Sequence, residues 1–237
     1  MVEAPVAGAS RPRLTRERVL RRAVDIADAA GVEALTMRRL ADELGVEAMS
    51  LYHHVRGKGG ILDGAVELVL DELAAAADAS AVPAQDGGWR AAVRARLLAA
   101  RTVMLRHPWA PDVMAARNVM TVGAARHVDA VVGLMRDGGL SYDLVHHGLH
   151  ALGSRMFGFS PEVGEPDAGD QQGAQALAAM AELVPHLAAM LAEVAHDDTT
   201  TLGWCDDQAE FEFGLDLVLD GLDRLARGSS AAGDGRG

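Results

Sequence analysis

Apolar residues recur along most of the chain at intervals of three and four, which is the spacing of one face of an α-helix. The first such segment covers residues 16–30, with Thr15 as its expected N-cap and Gly31 as its C-terminal stop. Its apolar positions are Val19, Leu20, Ala23, Ile26, Ala27 and Ala30. Because no alternation of apolar and polar residues points to strands, the pattern predicts an all-α fold.

Two short predicted helices follow, joined by a glycine. Thr36 caps the first of them, whose inward side is Met37, Leu40, Ala41 and Leu44. Gly45 makes the turn, and residues 47–55 form the next helix, with Leu51 and Val55 expected in the core. Two helices around a tight turn form a helix-turn-helix, whose second helix enters the DNA major groove. This segment therefore predicts a DNA-binding domain.

The remainder of the chain is also predicted to be helical. A fourth helix covers residues 60–79 and connects to the rest through a Pro- and Gly-containing linker at 81–88. Further helices are expected at 89–106, 112–118, 121–137, 142–159, 175–195 and 206–227, with a loop rich in Pro, Gly and Asp at 160–173. The domain division that follows is a disordered arm at 1–12, a helix-turn-helix domain at 13–60, a connecting helix at 61–80, a helical body at 89–227 and a disordered tail at 228–237.

Charge is distributed unevenly between these parts. The net charge is −12, which by itself does not favour a DNA-binding protein. Residues 1–62, however, carry ten Lys and Arg against eight Asp and Glu, a net +2, whereas the remainder carries twelve against twenty-six, a net −14. A basic head on an acidic body concentrates the attraction for phosphate at one end of the molecule.

Composition narrows the class of protein further. The single cysteine, Cys205, excludes an intramolecular disulfide and a multi-cysteine metal site. No secretory signal and no apolar stretch long enough to span a bilayer is recognisable, so a cytoplasmic location and no membrane partner are expected. No phosphate-binding glycine loop or nucleophile elbow is present in the sequence, and no enzymatic cofactor is expected.

The helix-turn-helix offers two kinds of DNA contact. Arg13, Arg16 and Lys58 lie at segment ends, where phosphates can pass, and Thr36 can present its hydroxyl and backbone N–H to a phosphate, although it is an N-cap in any case. Arg38 can bind guanine through two hydrogen bonds. The third helix contributes Ala48 and Met49 for thymine methyls, Ser50 and His53 for base edges, and Tyr52 and His54 for the backbone, with packing as the alternative for His54.

The same segment resembles a known family. Residues 35–46 (LTMRRLADELGV), the Ser-Leu-Tyr-His-His-Val run at 50–55, Lys58 and Ile61-Leu62-Asp63 are similar to the TetR family of repressors, and residues 18–31 match that family's first helix. The Leu-Tyr-His-His-Val form and the pattern of residues 206–227 look most like the tetracycline-repressor branch. The resemblance implies that Thr36, Arg38, Ala48, Met49, Ser50, Tyr52, His53, His54 and Lys58 occupy DNA-contacting positions.

The resemblance also implies a homodimer on double-stranded operator DNA, and a helical body that holds a small-molecule effector. The apolar stripe Phe211, Leu215, Val218, Leu219 and Leu222 is the expected dimer contact, with intrachain packing as the alternative. The expected effector pocket combines adaptable apolar residues with a few polar ones. Its candidates are Arg96, Ala100, Met104, Trp109, Met114, Met120, Met135, His146, His150 and Met156, with Arg101, Arg155 and Phe157 as further possibilities.

One departure from the family bears on the effector. An alignment of Trp89 with the family's tryptophan puts Arg96, Ala100 and Met114 where the tetracycline repressor has an amide, an aromatic ring and a metal-binding histidine. The resemblance therefore implies a palindromic-operator repressor released by a molecule other than magnesium–tetracycline, with no metal site. An apolar or anionic antibiotic-like molecule or metabolite is the expected effector.

Two other functions remain open from the sequence. His146 and His150 share a helix face at i, i+4 and could hold a metal ion in a helical metal-dependent enzyme, but no glutamate follows His146 as in a His-Glu-x-x-His motif. The other alternative is an interaction protein whose head does not bind DNA. Metal analysis and a DNA-binding screen discriminate these alternatives from the repressor.

Overall fold

The structure, a computed structural model, describes residues 13–82, 88–117, 121–156, 183, 185–186, 189 and 207–233. Within these residues every regular element is a helix, which confirms the all-α prediction. The helices are α1 Arg16–Ala30, α2 Met37–Leu44, α3 Ala48–Leu51, α4 Gly57–Ala79, α5 Gly88–Arg106, α6 Ala110–Arg117, α7 Val122–Asp137, α8 Tyr142–Met156 and α9 Asp207–Gly233, with a 3₁₀ turn at Val32–Ala34. The predicted arm at 1–12, loop at 160–173 and most of the predicted helix at 175–195 lie outside the described residues.

Several predicted boundaries differ from the observed ones. α3 ends at Leu51 instead of residue 55, although the backbone N–H of Val55 still donates to the carbonyl of Leu51 at 3.0 Å. α4 begins at Gly57 instead of residue 60, so that the break between α3 and α4 is short. α9 continues to Gly233, into the stretch 228–237 that was expected to be a disordered tail. That stretch contains no proline, and the helix ends at Gly233, one of its four glycines, which are unfavourable within a helix.

The turn between α2 and α3 is built by local hydrogen bonds. The Thr36 hydroxyl accepts from the N–H of Arg39 at 3.1 Å and caps the start of α2. At the other end Gly45 adopts a left-handed conformation, with φ 67° and ψ 38°. Its N–H donates to Asp42, and the N–H of Val46 donates to Ala41 at 3.0 Å, which is the Schellman arrangement. This turn sets the direction in which α3 leaves α2.

The chain divides into two compact units. The first contains residues 1–87 and 91–134, and the second contains residues 88–90 and 135–237. α4 packs in one core with parts of α5 and α6, because its apolar residues face both. The domain division expected from the sequence stays a prediction. The helices α5 and α7 each contribute residues to both units.

The first unit contains two apolar clusters. The head cluster joins α1 to α2, α3 and the start of α4, and its buried members are Val19, Leu20, Ala23, Ile26, Leu35, Leu40, Ala41, Leu44, Leu51, Val55 and Ile61. The second cluster joins α4 to α5 and α6, through Ala65, Val66, Val69, Leu70, Leu73, Ala100, Val103, Met104, Trp109, Ala110 and Val113, with Ala27 from α1. Burial of large aliphatic side chains stabilises such cores by about 1.5–3 kcal/mol each. α4 is the helix that contributes to both clusters.

The second unit is built on the packing of α8 against α9. Val145 and Leu152 of α8 are buried, as are Leu215, Leu219 and Leu222 of α9. A methyl group added at Gly148 would lie only 2.9 Å from Leu222, so the absence of a side chain at Gly148 lets the two helices approach closely. Arg90 also belongs to this unit and lies 2.6 Å from Asp220 and 3.5 Å from Asp223.

His127 is a buried polar residue on α7 in the first unit. It is 5% exposed, and neither ring nitrogen is hydrogen-bonded to a residue within the described ranges. Burial, assisted by the positive charge of Arg96, lowers the pKa of His127 from 6.5 to about 4. The ring is therefore neutral at neutral pH.

The left-handed turn predicts opposite effects of alanine at two glycines. Gly45→Ala should lower the free energy of unfolding by about 1 kcal/mol, since a side chain is strained at positive φ while no neighbour lies within 4 Å of the new methyl group. Gly133→Ala, in the exposed middle of α7, is the matched control and should raise it by about 1 kcal/mol. Urea titrations of both variants measure the difference. Equal effects of the two substitutions would contradict the assigned turn.

The buried histidine predicts a loss of stability in acid. Between pH 6.5 and about 4 the unfolded chain binds a proton at His127 that the folded chain does not, so the free energy of unfolding falls as the pH falls. Between pH 7.5 and pH 5 this residue should remove about 2 kcal/mol. The difference between the parent and His127→Gln, taken from urea titrations at the two pH values, isolates this contribution from that of the carboxylates. A parallel pH dependence in the two proteins would show that His127 does not titrate in this way.

Candidate functional site

One face of the helix-turn-helix is exposed while the opposite face is anchored in the head cluster. Leu51 and Val55 are buried, which confirms their prediction as core residues. On the other side, Met49 is 73% exposed and Tyr52 is 52% exposed, and His53 is exposed beside them. Met49 lies on α3, while Tyr52 and His53 follow directly after its last residue. Packing among the described residues does not explain the exposure of Met49 and Tyr52. They form a surface that is available for a partner.

The other three predicted contacts on this segment are less accessible. Ala48, Ser50 and His54 are each half-buried. Ala48 packs against the head cluster, which leaves its methyl group only partly at the surface. The exposed face of α3 is consequently narrower than the set of residues predicted from the sequence.

The start of α2 places two adjacent arginines in different environments. The Nε of Arg39 lies 3.2 Å from Glu43, so its charge is paired along the helix. Arg38 is exposed, and no ion pair joins it to any residue in the described ranges. Thr36 is exposed as the N-cap of α2. Arg38 and Thr36 therefore lie at one helix N-terminus, an arrangement suited to an anion or a base edge.

The cations at the edge of the head differ in their partners. Arg13 is exposed just before α1. The Nζ of Lys58 lies 3.9 Å from Glu33, whose side chain is 95% exposed, so this pair is weak. Arg21 is paired with Glu17 at 2.7 Å on the surface of α1. Arg13 and Lys58 remain accessible to phosphate, whereas Arg21 is engaged within its helix.

Three predicted effector residues lie in the second apolar cluster of the first unit. Ala100, Met104 and Trp109 are all buried there. The indole N–H of Trp109 donates to the Oδ1 of Asp28 on α1 at 2.6 Å. Trp109 is thus engaged within the chain, and its indole N–H has a protein partner instead of being left for a ligand.

His107, which sequence reasoning missed, extends this contact into a network. Its Nδ1 lies 2.9 and 3.0 Å from the carboxylate oxygens of Asp28, and its Nε2 lies 3.2 Å from Glu72 on α4. Arg106 also reaches Glu72, at 2.7 Å. The imidazole ring therefore bridges the two carboxylates, with one ring nitrogen facing each of them. The network connects α1, α4 and the segment between α5 and α6.

No periodic signal in the sequence points to this network. The chemistry-bearing residues lie far apart along the chain, and His107 falls in the Pro-containing break between two predicted helices. His127, also missed, did carry a signal, because it lies four residues before the buried Val131 on the apolar side of α7.

Met114 is half-buried and lines a cavity of about 380 Å³ in the first unit. Four charged residues also line it, namely Arg16, Asp63, Glu67 and Arg117. Arg117 is held by Asp63 at 3.0 Å and by the carbonyl of Gly59 at 2.9 Å. Met114 also packs against the cluster that contains Ala100, Met104 and Trp109, so it lies between that core and the cavity.

Arg96 is the predicted effector residue with the most unusual environment. Its side chain is 13% exposed, and its Nη1 lies 3.2 Å from Asp78, whose side chain is 75% exposed. Its Nε is buried and has no hydrogen-bond partner within the described part of the chain. The charge of Arg96 acts on His127, so the two side chains belong to one polar environment between α5 and α7.

The remaining effector candidates lie in the second unit or outside the described residues. Met135 is fully buried there. His146 and His150 are exposed, with ring centroids 4.6 Å apart, because the buried face of α8 is formed by Val145 and Leu152 instead. They do not line an interior pocket of this unit. Met120, Phe157 and the side chains of Arg155 and Met156 lie outside what the structure describes.

The described residues contain no group of three or more His, Cys, Asp or Glu side chains arranged to hold a metal ion. Among the same residues, no helix combines the length and the apolar character needed to cross a membrane.

Comparison with known proteins gives consistent results along the whole chain. Residues 19–65 match the family model of bacterial regulatory proteins of the tetR family, and residues 82–226 match the tetracyclin repressor-like C-terminal domain. The HTH-type transcriptional repressor DrrR1 of Streptomyces coeruleorubidus is 34% identical over 228 residues, covering 93% of this chain and 83% of the relative.

Solved structures agree with the sequence relatives. A possible TetR family transcriptional regulator from Streptomyces coelicolor A3(2) is 30% identical, with a TM-score of 0.67, and the match covers 89% of this chain and 99% of that one. The Streptomyces coelicolor TetR family protein ActR, in complex with (S)-DNPA, is 26% identical with a TM-score of 0.67, and covers 90% and 99%. The chain therefore belongs to the TetR family of transcriptional regulators, whose repressors bind DNA, respond to small-molecule ligands and function as dimers.

Proposed function

We propose that this protein represses transcription from the cytoplasm by binding a palindromic operator as a homodimer, and that a small molecule in its helical body releases it. The observation that carries the proposal is the exposed surface of α3 and the turn after it, with Met49 on the helix and Tyr52 and His53 in the turn. Leu51 and Val55 anchor this segment in the head cluster. Apolar and aromatic side chains on such a short, anchored segment suit the major groove.

The proposed DNA contacts divide into base readers and phosphate binders. Arg38 and Met49 are the candidates for base edges, because an arginine pairs with guanine and a methionine contacts a thymine methyl. Thr36, Tyr52 and Lys58, together with Arg13, are assigned to the backbone, and exposed His53 stays a candidate for base edges. Ala48, Ser50 and His54 contribute at the margin of the contact, because each is half-buried. Phosphate contacts position the head, while base contacts give sequence preference.

The proposed dimer uses a different stripe of α9 from the one predicted from the sequence. Leu215, Leu219 and Leu222 pack within their own unit, so intrachain packing, the alternative considered for that stripe, applies to them. Phe213, Leu217 and Leu225 are exposed on the same helix at spacings of four and eight. Exposed apolar residues at helical spacing favour association with a second copy through this stripe. A two-fold dimer reads half-sites about 34–36 Å apart on one face of DNA.

The effector is proposed to bind in the first unit and to be a molecule other than magnesium–tetracycline. Arg96 and His127 provide a positive charge and a neutral ring in one buried environment. A cation at this place does not favour a metal chelate. ActR, which shares the fold, has been solved with the small molecule (S)-DNPA, and this supports a small-molecule effector here.

Coupling between effector and DNA is proposed to pass through the Asp28 network. Asp28 belongs to α1 of the head, while Trp109 and His107 belong to the segment between α5 and α6. A displacement of that segment by a ligand has to move Asp28 or break its hydrogen bonds. Since the ligand shifts the equilibrium only by its differential affinity for two states, this network is a physical element that can differ between them.

Arg38 and Arg39 form a matched pair for testing the DNA interface. Arg38→Ala should weaken binding to an operator selected from random DNA by about 10- to 100-fold, because it removes a base contact. Arg39→Ala should change affinity by less than about threefold, since Arg39 is already paired with Glu43. Fluorescence anisotropy at fixed salt measures both affinities.

Thermal unfolding of the two variants provides the control for folding, because each loses one exposed arginine from adjacent positions of the same helix. If Arg38→Ala and Arg39→Ala bind the operator equally well, Arg38 does not read DNA. If the parent selects no sequence from random DNA, the proposed repressor function itself is wrong.

The Asp28 network should appear as an energetic coupling. In a double-mutant cycle, Asp28→Asn and Trp109→Phe should show a coupling free energy of about 1–3 kcal/mol, because a charge-assisted hydrogen bond at a buried indole is removed. Glu17→Gln and Arg21→Gln, on the surface of α1, are the control cycle and should couple by no more than about 0.5 kcal/mol. Urea titrations supply the free energies of unfolding. A coupling at Asp28 as small as in the control would rule out this route between head and body.

A further inference from the structure

Arg96 and His127 leave three buried nitrogen atoms without a hydrogen-bond partner in the part of the chain that the structure describes. These atoms are the Nε of Arg96 and both ring nitrogens of His127. His127 is more than nine-tenths buried. An unmade hydrogen bond at a buried polar group costs about 1–3 kcal/mol, so native proteins contain few such atoms and those present call for an explanation.

The hydrogen-bonding properties of Arg96 and His127 indicate which chemical group could bind them. Arg96 is always charged and only donates, and Asp78, the carboxylate paired with it among the described residues, lies largely in solvent. A buried guanidinium with an exposed counter-ion favours a second anion that is excluded from water. His127 is neutral, so it offers one donor and one acceptor without repelling a cation or an anion. Together the two side chains suit a group with an ionised oxygen beside a second polar oxygen.

The other charged residues of α5, the helix that carries Arg96, also favour an anionic ligand. Every charged residue of α5 is an arginine, in a body whose net charge is strongly negative. Some of these arginines are engaged, Arg106 with Glu72 and Arg90 with Asp220. A helix without acidic side chains raises the local potential and attracts an anionic ligand into an otherwise acidic unit.

We propose that the effector is an organic acid with an apolar body, whose ionised carboxylate or comparable acidic oxygen binds Arg96 and hydrogen-bonds to His127. The inference rests on the proposed function, because it names the chemical class of the molecule that the regulator senses. Arg96 supplies the charge, and His127 selects an oxygen that can accept from or donate to a neutral imidazole.

The test compares two probes that differ only in charge. 4-Phenylbenzoate and 4-phenylbenzamide have the same shape, and both can form hydrogen bonds with an imidazole. Titration calorimetry with the full chain and no DNA should give an affinity at least tenfold higher for the acid than for the amide. In protein labelled with ¹⁵N-histidine, the acid should also shift the ring resonances of His127. Equal affinities, or no binding of either probe, would overturn the proposal.

Two arginine variants of α5 separate direct recognition from a general charge effect. Arg96→Gln should reduce the preference for the acid to within about twofold. Arg106→Gln, which removes an exposed arginine from the same helix, should leave the preference intact. His127→Phe should weaken binding of the acid. The acid should still bind more tightly than the amide, because Arg96 still pairs with its charge. Survival of the full preference in Arg96→Gln would contradict the assignment.

Operator binding without any probe keeps this proposal distinct from the proposed function. The parent should bind the selected operator in the absence of any probe, because operator binding depends on the head and not on an occupied acid site. If operator binding is intact while acid and amide bind alike, the acid site alone is wrong. If the acid is preferred but no DNA is selected, the chain binds organic acids and the regulator function is wrong.

Discussion

The packing of α4 is the constraint on which the rest of the first unit depends. Ile61, near its start, belongs to the head cluster, while Val66, Val69, Leu70 and Leu73 belong to the cluster shared with α5 and α6. A single continuous helix therefore closes two cores. Because a packed core does not deform continuously, a displacement of α5 or α6 is transmitted to α4 as a movement of the whole helix. The head cannot be repositioned independently of the helices that carry the candidate effector site.

Hydrogen bonds fix the relative positions of these helices more narrowly than apolar packing does. Asp28 accepts hydrogen bonds from Trp109 and faces His107, and Glu72 faces the other side of the same imidazole. Apolar contacts between helices tolerate small sliding movements, whereas these hydrogen bonds are lost over a fraction of an ångström. The network therefore defines one arrangement of α1, α4 and the α5–α6 segment, and a competing arrangement has to satisfy or expose two carboxylates. Because intermediate positions would leave these hydrogen bonds unmade, the network suits an element that switches between two discrete arrangements.

The sequence was sufficient for features that depend on local interactions. Helix periodicity, the caps at Thr15 and Thr36 and the turn at Gly45 each depend on residues within one or two turns of the chain, and the structure agrees with them. It was insufficient where distant residues decide the outcome. The exposed stripe of α9 could not be distinguished from its buried stripe, because both repeat at helical spacing and only the position of α8 separates them. Asp28 and His107 could not be paired for the same reason.

The buried nitrogen atoms of Arg96 and His127 connect stability to sensing. Each of these atoms is buried without a hydrogen bond to any described residue, and unmade hydrogen bonds of this kind destabilise the arrangement in which they occur. A ligand that forms hydrogen bonds with these atoms stabilises only the arrangement in which both side chains face it. The proposed acid site therefore creates a differential affinity between two states, which is what a ligand needs in order to shift their equilibrium. In this proposal, the polar groups that lower stability are also the groups through which the ligand acts.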